Sequence, residues 1–122
     1  MSGTIDIARL EAAMAQAQTV LKGALLVGSI WDQSTGLPLV GYNSNPVAAA
    51  LLAQLIQMLD QHLATSGFPA LDRFLFLQFQ AGKAGLAVLH PHNLVQGLLI
   101  DTTKTNVGVI MSVLLPRLLK AI

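Results

Sequence analysis

The chain has 122 residues, of which 53% are apolar and only 11% charged, against roughly 25% charged in an average soluble domain. This length predicts one domain, 1–122, and the composition excludes a disordered chain, which needs low hydrophobicity and high charge. Seven Lys and Arg against six Asp and Glu give a net charge of +1, which argues against nucleic-acid binding, and the lack of cysteine excludes a disulfide scaffold, thiolate zinc and a cysteine nucleophile.

Residues 4–22 are predicted to form an amphipathic helix. Thr4 reads as its N-cap and Asp6 as a first-turn residue suited to the positive end of the helix dipole. Ile7, Leu10, Met14, Ala17 and Leu21 recur at spacings of three and four. Gly23 after Lys22 is a stop signal. The period then changes. Residues 24–31 (ALLVGSIW) read as a strand, 32–36 as a turn and 37–42 (LPLVGY) as the second strand of a hairpin. Pro38 cannot donate to a ladder, so that second strand belongs at a sheet edge.

Asn45-Pro46 opens a second helix, with Asn45 as N-cap and Pro46 at its first position. It runs to about Thr65, where Ser66-Gly67-Phe68-Pro69 ends it. Val47, Leu51, Leu52, Leu55, Ile56, Met58, Leu59 and Leu63 fill an arc of roughly 180° on this helix. One sheet needs less than that to be covered. The remaining face, with Ala50, Ala53, Gln54, Gln57, Asp60, Gln61 and Ala64, is small and polar. Such a helix is expected to pack on its own sheet and against a second helix.

Residues 73–80 (RFLFLQFQ) form the strongest strand pattern. Leu75, Leu77 and Phe79 point one way and Phe74 and Phe76 the other, so both faces are expected to be covered. Residues 81–85 read as a hairpin turn into 86–90, and Pro91-His92-Asn93 as a turn into 94–101 (LVQGLLID). A last helix is predicted from about Lys104, with Pro116 kinking or ending it. The order α-β-β-α-β-β-β-α predicts an α+β fold: a five-stranded antiparallel sheet sandwiched by helices. No internal repeat is evident.

Little in the chain is arranged for catalysis. Gly82-Lys83 lacks the Ser or Thr after the Lys and the earlier Gly of a phosphate loop (that position is Leu77), and reads as a turn. Thr102-Thr103-Lys104-Thr105 reads as a helix cap rather than an anion site. His90 and His92 have no third ligand near them in sequence, so they read as partly exposed turn residues rather than a metal centre. His62 reads as an interface or edge-of-core residue. The expectation is no catalytic residue, no cofactor and no metal.

A folded monomer of this mass exposes on the order of 6,000 Å², which the few charges cover at well under half the usual density. A membrane span does not explain this. The most apolar stretch, 47–59, is interrupted by Gln54 and Gln57 and is shorter than the roughly 20 residues a span needs. The N-terminus lacks the pattern of a signal peptide. Low charge is therefore read as an oligomer interface, and the location as cytoplasmic.

Taken together, the N-terminal helix, the apolar strand, Asp32 with Gly36-Leu37-Pro38-Leu39, the Ala-rich helix, the GLAVLHPH hairpin and the final TKTNVGVIMSVL helix resemble the Roadblock/dynein light chain family. The resemblance covers essentially the whole chain. It implies a longin-related fold that forms a homodimer, or a heterodimer with a Roadblock paralogue, by packing second helices side by side and pairing third strands into one sheet. The dimer residues implied here are Val47, Leu52, Ile56, Leu59, Leu63, Phe74 and Phe76. It also implies a non-enzymatic regulator or scaffold for a small Ras-like GTPase, seated over the paired second helices at Ala50, Gln54, Gln57 and Gln61. The alternative is a structural dimerisation subunit of a larger complex with no GTPase partner. No arginine-finger candidate stands out: Arg9, Arg73 and Arg117 read as solvated charges. No nucleic acid and no membrane insertion are expected.

Overall fold

A computed structural model describes residues 6–122. Helix α1 (Ile7–Leu21) is followed by a short 3-10 turn and the hairpin of β1 (Leu25–Asp32) and β2 (Pro38–Tyr42). Helix α2 (Pro46–Thr65) crosses to β3 (Phe74–Phe79), β4 (Lys83–His90) and β5 (Leu94–Asp101). The chain closes with α3 (Val107–Val109), a π-helical turn over Ile110–Leu114, and α4 (Leu115–Ala121). The five strands lie in the order β2-β1-β5-β4-β3, every neighbouring pair antiparallel. This is the expected α+β layered fold, with Pro38 on an edge strand as its missing N–H requires.

The two faces of the sheet are covered unequally. On one, α1 and the C-terminal helices bury Leu10, Met14, Ile30, Leu86, Val88, Leu98, Ile100, Ile110, Leu114 and Leu118 in the main core. On the other, α2 alone covers a smaller cluster of Trp31, Ile56, Ala87 and Val95. Alternation along the strands dictates this division, since Ile30 and Leu98 face α1 while Trp31 and Val95 face α2.

Several boundaries differ from the sequence-based expectation. Thr4 lies outside the described residues. The N-cap of α1 is Asp6, whose Oδ1 accepts from the N–H groups of Ala8 (3.1 Å) and Arg9 (3.4 Å). The β3–β4 turn is Gln80–Gly82, with Ala81 and Gly82 at φ 63° and 70°, so Lys83, Ala84 and Gly85 belong to β4. The last helix starts at Val107, capped by Asn106 rather than near Lys104, because the Asn106 Oδ1 accepts from Val109 N–H (2.9 Å). It continues past Pro116 instead of stopping. The preceding π turn, in which Leu115 N–H reaches the Ile110 carbonyl, provides the wider winding that accommodates the proline ring.

Strand β3 is not covered on both faces. It is the edge of the sheet, and Phe74 and Phe79 remain 41% and 42% exposed. Helix α2 centres on β5 and meets β3 only at half-buried Leu75, which leaves Phe79 uncovered; Phe74, opposite Val88, lies on the other face at the margin of the main core.

Candidate protein interface

Helix α2 presents three stripes, and what each one touches follows from its phase. Asn45 caps it, its Oδ1 accepting from Val47 and Ala48 N–H, and Pro46 occupies the first turn. Ala49, Leu52, Ala53 and Ile56 face the sheet, and Ile56 is 2% exposed. The helix approaches closely because the strands beneath it carry glycine. A Cβ on Gly97 would stand 2.7 Å from the Trp31 ring and 3.0 Å from Leu52, and one on Gly85 would meet Phe79 at 3.2 Å. A polar clasp holds the same contact. Trp31 Nε1–H donates to Gln33 Oε1 (2.7 Å), and Gln33 Nε2 donates to the Ala53 carbonyl (3.0 Å). At the far end, the Asp60 carboxylate accepts from Leu71 N–H (3.3 Å) and anchors the connection to β3.

The second stripe faces solvent on the β3 side. Val47 is 76% exposed, Leu51 and Met58 52% each, with Leu55 half-buried and His62 exposed beside them. A narrow pocket of about 60 Å³ lies under its edge, between Leu51, Leu52, Phe79 and Leu99. With Phe79 and half-buried Leu75 and Leu77 on β3, this apolar surface continues from the helix to the open edge of the sheet, while Phe74 is exposed on the opposite face of the same strand. Among the described residues no other strand pairs with that edge. Exposed apolar groups arranged contiguously, next to unpaired backbone, mark a surface suited to a protein partner.

The third stripe, Ala50, Gln54, Gln57 and Gln61, is exposed on the other shoulder of α2. Ala50 and Gln54 border a groove of about 540 Å³ between α2 and β2, floored by Trp31, Leu39 and Val40. Among the described residues no charged side chain lines it.

The sequence-derived interface residues are therefore distributed. Val47 and Phe74 are exposed, while Leu52, Leu59, Leu63 and Phe76 are half-buried. Phe76 packs on the main core, and Ile56 is enclosed by its own chain. Leu51, Leu55 and Met58 were part of the broad apolar arc but not of that set. What separates them is helical phase: Ala49, Ala53 and Ile56 meet the sheet, and Leu51 and Met58 lie roughly opposite them.

The titratable groups are disposed structurally. His90 is 7% exposed, contrary to the partly exposed imidazole expected. Its Nε2 bonds Gln96 Oε1 (2.9 Å), and Gln96 Nε2 donates to the Ala13 carbonyl (3.3 Å), tying β4 and β5 to α1. Burial lowers the His90 pKa below the ordinary histidine value, opposed by the Gln96 bond and assisted by the Arg73 charge. His92 is exposed at φ 65°. Arg73 is not simply solvated, since its guanidinium donates to the Leu119 carbonyl (3.0 Å). Lys83 and the 102–105 segment stand apart as well: Asp101 accepts from the Thr103 N–H and hydroxyl, which lowers its pKa, as Ser34 does for Asp32. Among the described residues no group of three His, Asp or Glu could hold a metal ion, and no helix is long and apolar enough to cross a membrane.

No family model matches the sequence, and no curated protein matches it. Solved structures do. The chain is similar to MglB of Myxococcus xanthus, with 12% identity and a TM-score of 0.73 over 99% of this chain and 87% of that one. It is similar to the gliding protein MglB of Thermus thermophilus, with 16% identity and a TM-score of 0.73 over 98% and 92%. A Roadblock/LC7 domain from Streptomyces avermitilis aligns at 11% identity and a TM-score of 0.59 over 85% and 88%. The chain has the fold of these MglB and Roadblock/LC7 structures.

Proposed function

We propose that this protein is a homodimeric, non-enzymatic regulator or scaffold for a small Ras-like GTPase in the cytoplasm. The observation that carries the reading is the continuous apolar surface from the outer stripe of α2 to the unpaired edge of β3. The chain's accessible surface of 6954 Å² exceeds the roughly 6,000 Å² of a monomer of this mass. The fold shared with MglB and the family resemblance of the sequence support the choice of partner.

In this reading Val47, Leu51, Leu55 and Met58 pack against their symmetry mates, with His62 at the margin. Strand β3 pairs with its counterpart, and Phe74 and Phe79 are covered in the process. Leu52 and Ile56 hold the helix from beneath, and Leu59 and Leu63 are half-buried further along it. Ala50, Gln54, Gln57 and Gln61 remain on the surface of the finished dimer, and they form the face on which the GTPase sits. An uncharged glutamine face discriminates by hydrogen-bond geometry rather than by long-range charge. The protein then acts by holding the GTPase's own catalytic residues in place, without supplying any.

The test is a pull-down with small GTPases of the same organism, loaded with GTP or GDP analogues, alongside light scattering. The expected results are twice the chain mass and capture in one nucleotide state, weakened at least tenfold by Gln54→Arg with Gln61→Arg. A stable monomer overturns the dimer. A dimer that captures no GTPase in either state overturns the regulator reading and leaves a structural dimerisation subunit.

A further inference from the structure

We infer that the face formed by α1 and the C-terminal helices docks on an anionic membrane surface. The small net charge conceals a segregation. Arg9 on α1, Lys22 at its end, and Arg117 and Lys120 on α4 are all exposed, and Arg73 reaches toward the same layer through the Leu119 carbonyl. The carboxylates on these helices are Glu11 and the N-cap Asp6, and the Asp6 side chain faces the N–H groups of its own first turn. No acidic residue follows Asp101. The remaining four carboxylates lie elsewhere: Asp32 and Asp101 at strand ends, Asp60 on α2, and Asp72 in the connection after it. The layer thus carries more cations than carboxylates, while the other carboxylates lie at strand ends, on α2 and in the connection after it.

The apolar groups exposed on the same helices narrow the partner. Ile7, Val107 and Val113 are 43%, 40% and 37% exposed, with Pro116 exposed next to Arg117. These aliphatic groups are too few and too separate to form the packed core of a protein interface. They suit shallow contact at the boundary of headgroup and acyl chain, where Lys and Arg reach phosphates from long side chains. Each Lys or Arg near an anionic surface strengthens binding roughly fivefold. The inference also rests on the proposed dimer for its strength. A two-fold axis normal to a continuous sheet puts both copies of this layer on one side, so a second set of cations engages at high effective concentration. The glutamine face of α2 then points away from the membrane, toward the solvent from which a GTPase arrives.

The experiment is flotation of the purified protein with phosphatidylcholine vesicles, with or without about one-third phosphatidylglycerol, and light scattering on the same samples. The expected result is binding to the anionic vesicles alone, lost at high salt, and weakened more than tenfold by Arg117→Glu with Lys120→Glu. That variant is expected to keep the dimer mass and the melting midpoint, since both side chains are exposed. A second variant, Arg9→Gln with Lys22→Gln, is expected to weaken binding without inverting charge. A dimer that ignores anionic vesicles, or variants that bind like the parent, overturns the proposal. So does binding to soluble polyglutamate in preference to vesicles, which would point to an acidic protein instead. A monomer that floats supports this surface while overturning the dimer, so the two failures are distinguishable.

Discussion

At one edge of the sheet, β2 carries Pro38, pairs with β1 through a register shift at Ile30 and Trp31, and spans five residues. At the other, β3 pairs with β4 from Phe74 to Phe79 without a shift and has neither charge nor proline. Proline and irregularity are devices by which edge strands avoid pairing with other chains. One edge has them and the other lacks them. Both strands have one unpaired edge among the described residues, and the difference is that β2 is blunted against further pairing while β3 is not. Helix α2 belongs to both sides, because its glutamine shoulder borders the groove beside β2 while its apolar stripe leans toward β3.

The largest expected effect breaks the β3 side. Leu51→Glu with Met58→Glu should convert a dimer into a monomer by light scattering, raising the dissociation constant at least a thousandfold, because desolvating the new carboxylates is costly. Pro38→Lys, an equally drastic change on an exposed residue of β2, should leave the mass unchanged. Ile56→Ala, on the buried stripe of the same helix, should cost about 2–5 kcal/mol in chemical denaturation. The outer stripe should show no such cost in monomer stability when Met58 alone becomes Ala. Gly97→Ala should cost about 1–3 kcal/mol, since its Cβ meets Trp31 and Leu52 and the helix must lift.

The smallest effect lies away from both edges. His90 titrates below its unfolded value because it is buried, so the unfolded chain binds the extra proton as pH falls. Stability is complete above about pH 6.5 and declines as pH drops through the folded pKa. His90→Gln should flatten the melting midpoint between about pH 7 and pH 5 while the assembly state stays constant. Asp32 and Asp101, with pKa values lowered by Ser34 and Thr103, add a decline only at still lower pH.

Much of this was legible in the residues. Period and turns located each strand and helix, Asn45 marked the start of α2, and Pro38 placed β2 at an edge, because those signals act locally. What local pattern could not supply was division of labour on α2. A broad apolar arc does not say which half meets its own sheet until Gly85 and Gly97 are seen beneath Leu52. The passage of the last helix through Pro116 was hidden for a related reason. Proline propensity describes a regular helix, whereas a π turn changes the spacing to the carbonyl with which the ring would clash. Burial of His90 depended on Gln96 and on a carbonyl of α1 distant in sequence.

The missing Cβ at Gly97 sets the height of α2 above the strands, and with it how far Leu51 and Met58 project toward a neighbour. Positions 31, 52 and 97 therefore form one steric unit. A lineage that enlarges residue 97 must shrink Trp31 or Leu52 at the same time, or change the spacing between the helices of its assembly. Substitutions at these three positions should accordingly travel together among related chains, and where they do not, those chains should fail to assemble with this one.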